Sequence, residues 1–211
     1  NIELLHRNTQ IRDENLHTLG EADFIFRYLP TDKIIHLEVA IKFYMGTGDI
    51  QNMANWYGPG LRDKLIEKFE HLVTHQTQLS RKHPALMPEK IDESWCLLKG
   101  RMFYEDLNAP TPTFFADNHP RGQWQMENHW KNSTPAKQYL PLNKSDWLSE
   151  RQRLDSELQQ ALITELTTGH FPCCYALIKH QQETQRLFLL PSDFWKRAIE
   201  TDKTKDQKTA N

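Results

Sequence analysis

The sequence predicts an α/β protein, a mixed sheet flanked by helices with a smaller α+β region behind it. Three observations lead there. Three alternating stretches crowd into the first 45 residues. A long amphipathic stretch then runs to residue 80 and is followed by another extended segment, and after residue 105 the extended stretches become short and loop-rich. Alternation with a period of two marks half-buried strands, and apolar positions three and four apart mark a helix.

The central strand is Ile34 to Met45. One side of it reads Ile35, Leu37, Val39, Ile41, Phe43 and Met45, and is apolar throughout. The other reads Ile34, His36, Glu38, Ala40, Lys42 and Tyr44. The apolar side is expected to face the core and the mixed side to face water, as antiparallel sheets allow. Before it, Thr18 to Leu29 alternates with Ala22, Phe24, Phe26 and Tyr28 on one face and Glu21, Asp23, Ile25 and Arg27 on the other. Gly20 suggests a bend or a close backbone approach. Pro30 to Lys33 is a turn, so these two strands form an antiparallel hairpin. Leu4 to Arg12 is a weaker strand candidate.

Gly46 to Gly60 reads as a loop. A helix is expected from about Leu61 to Ser80, with Leu61, Leu65, Phe69, Leu72, Val73 and Leu79 as its apolar stripe. Lys64, Lys68, His71, His75 and Gln78 step along the same helix, and Arg81-Lys82-His83 extends this cationic stripe. Trp95 to Tyr104 is a further strand. Shorter extended stretches follow near 123–130 and 138–142, then a second amphipathic helix from Ser149 to Thr168. A hairpin of Phe171 to Lys179 with Arg186 to Leu190, and a short helix from Asp193 to Glu200, complete the reading. Residues 1–105 thus form the core, 106–200 the α+β region, and the polar 201–211 a disordered tail.

Composition bounds the function. At 211 residues the chain can bury one real core. No apolar run approaches the roughly 20 residues needed to cross a bilayer, so no membrane role is expected. The chain opens on Asn1 with no secretory pattern and is read as part of a longer one. Three cysteines, two of them adjacent, make no disulfide framework, and the expected location is cytoplasmic. A net charge of −2 excludes a wholly basic nucleic-acid-binding surface and leaves only a local patch.

The chemistry gathers at the hairpin. Asp23 and Glu38 lie on neighbouring strands and become cross-strand neighbours in the right register. Two carboxylates so placed repel, and a cation relieves them. Mg²⁺ or Mn²⁺ is the expected cofactor, because a hard ion takes one or two carboxylates and keeps its waters. Glu21 is a reserve ligand, and Lys42 is placed to orient a water or offset developing charge. The plain alternative is a salt bridge from Glu38 to Lys42 or Arg27 on a wet sheet face.

The segments Thr18-Leu19-Gly20-Glu21-Ala22-Asp23-Phe24-Ile25-Phe26 and His36-Leu37-Glu38-Val39-Ala40-Ile41-Lys42 resemble the PD-(D/E)XK nuclease-like core. That superfamily places an acid on its second core strand and an acid-x-Lys motif on its third. Leu5 to Arg12, Leu19 to Phe24, His36 to Tyr44, Trp56 to Pro59, His75-Gln76 and Gly100 to Tyr104 also look like a bacterial family, domain of unknown function 1853, grouped with these nucleases. The resemblance is close over about the first 105 residues. It implies a restriction-endonuclease-like mixed sheet, with Asp23 as the second-strand acid and Glu38 as the third-strand acid. Val39 would offer its carbonyl to the metal. The usual lysine position is Ala40 here, so Lys42 must reach back. The superfamily's first core helix is not evident upstream of Leu4 and is expected to be missing. The implied activity is metal-dependent phosphodiester hydrolysis of nucleic acid. Lys64, Lys68, His71, His75 and Gln76 would then line a phosphate track. The alternative is a non-catalytic module of the same fold that binds nucleic acid or a protein.

Other candidates weigh less. His71 and His75 have the spacing of zinc ligands but need a third, such as His83 or Glu38. Cys96 is expected in the core. Trp124, Trp130, Trp147 and Trp195 are expected to pack rather than stack on bases.

Overall fold

The computed structural model describes residues 1–130, 138–149, 162–163 and 166–209. The class is mixed α/β, with nine strands in a mixed sheet and few helices. The chain clusters into two compact units, residues 1–42 with 66–99, and residues 43–65 with 100–211. Among the described residues no helix is long and apolar enough to cross a membrane.

In the first unit the strand order is β1 (Ile2–Arg12), β2 (Thr18–Tyr28), β3 (Lys33–Gly46) and β5 (Glu93–Tyr104), the last two running on into the second unit. β1 and β2 are antiparallel, as are β2 and β3. The turn between β2 and β3 turns on Asp32, whose φ is 56° and whose carboxylate accepts from Arg27 at 2.9 Å. Its core joins Ile11, Ala22, Ile25, Leu79 and Met87. Ala22 and Ile25 differ in strand parity yet share that cluster, so the alternation of β2 breaks between them. The faces expected for β2 therefore do not hold along its length. Gly20 does mark a close approach, since a Cβ there would stand 3.1 Å from the Leu79 side chain.

The face assignment of β3 is reversed between His36 and Ile41, while Ile35, Phe43 and Met45 are buried as expected. His36 and Glu38 are fully buried and Ala40 is 6% exposed, while Leu37 and Val39 are half-buried and Ile41 is 51% exposed. The reason is where the helical segment lies: Gln76 reaches the Glu38 carboxylate and covers the mixed face.

That segment is shorter and less regular than its apolar stripe predicts. Helix α1 spans Leu65–His71, a π-helical turn Leu72–Gln76, and α2 Leu79–Lys82. Thr77 N–H reaches back five residues to the Leu72 carbonyl at 3.0 Å. The hydroxyls of Thr74 and Thr77 donate to the Glu70 and Val73 carbonyls, a back-bonding that loosens a helix. Leu65, Leu72 and Leu79 are buried, whereas Phe69 and Val73 turn outward.

The second unit holds β4 (Trp56–Tyr57) against the end of β3, and the order β5, β6 (Arg121–Met126), β9 (Gln182–Leu190), β8 (Cys173–Lys179), β7 (Gln138–Leu142). β6 runs parallel to both neighbours, while β8 is antiparallel to both β9 and β7. Trp124 is buried with Phe103, Phe188 and Phe194, and Trp147 and Trp195 pack against the same cluster. These three tryptophans are packing residues, and the side chain of Trp130 lies outside the described residues. Arg186 is fully buried, paired with Glu183, and donates to the carbonyls of Asp146, Trp147 and Ser149.

Most of the helix expected from Ser149 to Thr168 falls outside the described residues. Ile163, inside that range, instead forms a bridge with Tyr139, with both bonds at 2.8 Å. The C-terminal helix runs Phe194–Thr209, well past Glu200, where composition alone predicts disorder. Asp202 and Lys205 tie it down by bonds to Tyr57, Lys64 and the Arg62 carbonyl. Cys96 is exposed rather than core, because Trp95, Cys96 and Leu97 all lie in the open first half of β5.

Candidate functional site

The site is built where the β2–β3 ladder ends. Backbone partners run from Tyr28↔Lys33 to Phe24↔Leu37. The next pair in that register is Asp23 with Glu38. There, side chains take over from the backbone. Val39 N–H donates to Asp23 Oδ2 at 2.8 Å, and Asp23 N–H donates to Glu38 Oε1 at 3.4 Å. Each carboxylate thus accepts from the strand that carries the other. The exchange sets the two acids side by side in the first unit.

Glu38 is fully satisfied. Oε1 also accepts from His36 Nε2 at 2.7 Å, and Oε2 accepts from Gln76 Nε2 at 3.0 Å. The Gln76 carbonyl in turn accepts from Lys68 Nζ at 3.0 Å. A buried carboxylate needs such partners, since burying a polar group without hydrogen bonds is costly. Asp23 is half-buried. Oδ2 is committed to Val39, and no described residue bonds Oδ1.

The sequence-predicted residues separate into those the fold brings together and those it does not. Asp23, Glu38, the Val39 backbone and Gln76 meet. Lys68 joins them through Gln76. Lys42 is half-buried on the same strand and is itself engaged. Glu21 is exposed opposite Gln10 and bonds to no described residue. His71 and His75 are exposed and stacked, with ring centroids 5.3 Å apart. Lys64 belongs to the second unit, where its ammonium bonds Asp202 at 2.6 Å and lies over the Tyr57 ring. His36 is the member whose link to Glu38 sequence reasoning missed. The signal was available, because residues two apart on a strand share a face.

The donor set can be tested against a metal. Among the described residues no group of three or more His, Cys, Asp or Glu side chains is arranged to hold an ion. His71 and His75 have no third such ligand among the described residues. Two carboxylates and a main-chain carbonyl are an all-oxygen set, which suits a hard ion that keeps most of its waters. Asp23 Oδ1 is the one carboxylate oxygen of the pair that no described residue bonds, whereas both Glu38 oxygens accept from protein donors.

No curated protein and no solved structure matches the chain. A family model described as a domain of unknown function, DUF1853, matches residues 1–190. With nearly its whole length covered, the chain belongs to the DUF1853 family.

Proposed function

We propose that the first unit is a metal-dependent nuclease of the PD-(D/E)XK kind, hydrolysing phosphodiester bonds in nucleic acid. The observation that carries this reading is the interlocked pair, Asp23 and Glu38, at the point where two strands stop pairing. A structural ion pair would be expected to complete the ladder rather than replace it. Asp23 and Glu38 would hold the ion, with the Val39 carbonyl beside them and Glu21 in reserve. Bound Mg²⁺ or Mn²⁺ supplies an activated water and neutralises charge on the phosphate. Lys42, four residues beyond Glu38 on the same strand, offsets charge developing on the departing oxygen. His36 and Gln76 fix the orientation of the Glu38 carboxylate. Exposed Arg81 and Lys82 offer cationic contacts for a phosphate backbone, with exposed His71 and His75 beside them in the chain as further polar contacts.

A second reading is favoured by one specific observation: both oxygens of Glu38 already have donors and the side chain has no exposed surface. In that reading the fold is kept for binding nucleic acid or a protein, and the acids are scaffold.

Calorimetric titration of the full chain with Mn²⁺ and Mg²⁺, with Asp23→Ala and Glu38→Ala as controls, tests the choice. The nuclease reading expects one ion per wild-type chain, loss of binding in both variants, and cleavage of a labelled oligonucleotide that depends on the ion. Wild-type protein that takes up no ion sinks it. Oligonucleotide binding without cleavage at saturating Mn²⁺ establishes the second reading instead.

A further inference from the structure

The first half of β5 is an outer edge of the first unit. Its inner side lies against β3, and β6 joins only at Met102–Tyr104. Among the described residues no strand pairs with its outer side between Glu93 and Lys99. Proteins blunt such edges with charges, prolines and bulges. β1, the other edge of the unit, is blunted in this way. Its register with β2 slips between Leu4 and His6, Asn8 has a φ of 49°, and Arg7 and Arg12 are exposed. β5 instead exposes Trp95, Cys96 and Leu97 in a row, with no proline and no charge between Glu93 and Lys99. An edge left this adhesive is a surface for adding a strand.

The side chains along it select the strand. Alternate residues share a face, so Glu93, Trp95, Leu97 and Lys99 stand together. On that face Trp95 meets the Phe26 and Tyr28 rings, with centroids 6.1 and 5.6 Å away. Its Nε1 donates to Glu93 Oε2 at 2.9 Å, so the indole is held in place before anything binds. Lys99 is exposed and bonds to no described residue. A second copy can pair antiparallel with this edge about a two-fold axis normal to the sheet, which sets residues of one face against residues of the same face. With the axis at Cys96, Trp95 lies opposite Leu97 of the second copy and Glu93 opposite its Lys99, each pair occurring twice. Moving the axis to Trp95 sets Glu93 against Leu97, and moving it to Leu97 sets Trp95 against Lys99. Among these three registers, the Cys96 axis matches apolar with apolar and acid with base. We propose that the Glu93–Lys99 edge of β5 is the docking surface for a second copy of this chain, joined antiparallel about Cys96. So short an edge buries little area, so the dimer is weak and exchanging, and Cys96 stays open to reagents in the free chain. The proposal is independent of the nuclease reading.

Sedimentation equilibrium of the full reduced chain, taken up to about 1 mM where weak contacts are populated, reads the stoichiometry. A monomer–dimer equilibrium is expected. Residues directly opposed in an antiparallel pair have Cα atoms about 4.5–5.5 Å apart, within the reach of a disulfide. Diamide, which takes up the two thiol protons and two electrons, should therefore link Cys96 to Cys96, a product that mass spectrometry of the peptides identifies. Leu97→Glu brings carboxylates beside Glu93 of the second copy and beside each other across the axis, and should abolish the dimer. Lys99→Glu opposes two pairs of carboxylates and should weaken it about tenfold. Both side chains are exposed, so both variants should keep the wild-type urea midpoint. A wild type that stays monomeric throughout overturns the proposal, and so does a dimer that both variants leave intact. Cross-linking through Cys173 in place of Cys96 overturns it as well.

Discussion

The buried His36–Glu38 pair should behave as a coupled unit, and a double-mutant cycle exposes it. Replacing His36 with leucine strips Glu38 Oε1 of its 2.7 Å donor and leaves only the long bond from Asp23. Losing a hydrogen bond to a buried charge costs about 1.5–3 kcal/mol. Replacing Glu38 with leucine removes a buried charge but strands the His36 N–H beside the already unpartnered Nδ1. That single change should cost about 1–3 kcal/mol. In the double variant both members of the pair are gone, although the Asp23 N–H and the Gln76 amide still lose their acceptor, and a buried polar pair replaced by apolar residues is often neutral or stabilising. The sum of the singles is then about 4 kcal/mol, whereas the double should lose no more than about 2, a coupling of about 2 kcal/mol. For a chain of this size each kcal/mol moves Tm by about 2–4 °C. The expected pattern is thus two singles each down by about 4–8 °C and a double no worse than either. Urea midpoints measure the global effect, and hydrogen exchange at the Val39 amide reports the first unit by itself. Additivity within about 0.5 kcal/mol would refute the reasoning, because it would mean that the two groups do not depend on one another.

Other outcomes follow from the packing and the titrating groups. Gly122→Ala places a Cβ 2.5 Å from the Phe103 ring and 3.2 Å from the Arg186 carbonyl, so it should cost about 1–3 kcal/mol in thermal unfolding. Gly169→Ala, with nothing within 4 Å, is its control and should be near neutral. Burial pushes the Cys174 thiol up to about 12, so an alkylating reagent at pH 8 should label exposed Cys96 and leave Cys174 untouched until the chain unfolds, as mass spectrometry of the peptides would show. Desolvation raises the Tyr104 hydroxyl to about 12 and, on its partner His119, lowers the imidazole below its ordinary 6.5. Tyr104 therefore contributes stability below pH 10 that is lost as pH rises toward 12, and His119 contributes stability above pH 6.5 that is lost as pH falls below it. Urea midpoints across pH should show both slopes, and Tyr104→Phe should flatten the alkaline one.

Alternation exposes strands well, and it exposes their pairing when a turn such as Pro30 to Lys33 sits between them. It does not say which face is covered. On β3 both sides carry enough apolar residues to be core, and the deciding contact is Gln76 on Glu38, thirty-eight residues away. The helix itself is legible only in outline. A stripe with the period of an ideal helix puts Phe69 and Val73 inside, but Leu65, Leu72 and Leu79, seven residues apart, are the members of it that stay buried, and a π-helical turn begins at Leu72. Lys64 and Lys68 look alike in the sequence and end in different units, one bound to Asp202 and the other to Gln76. The long C-terminal helix was illegible for a related reason: its polar residues gain their order from partners at Tyr57 and Arg62, far off in the chain.

The position of the lysine follows from the same burial. Along the mixed face of β3, His36 and Glu38 have no exposed surface, Ala40 has 6%, and only at Lys42 does the side chain become half-exposed. An ammonium at position 40 would enter the stack that already holds one carboxylate and one imidazole. It would be desolvated beside a glutamate whose two oxygens are taken by His36, Asp23 and Gln76. Burial without a free partner drives a lysine toward its neutral form, which can neither steady a developing charge nor pay for its own desolvation. Two residues further on, at Lys42, the same face of the strand is partly open to solvent. Position 40 is therefore buried and position 42 partly open, with Gln76 covering the neighbouring Glu38. Ala40→Lys in the wild-type background should be more destabilising than Lys42→Ala, and the urea midpoints of the two variants would show the reverse order if position 40 were not buried.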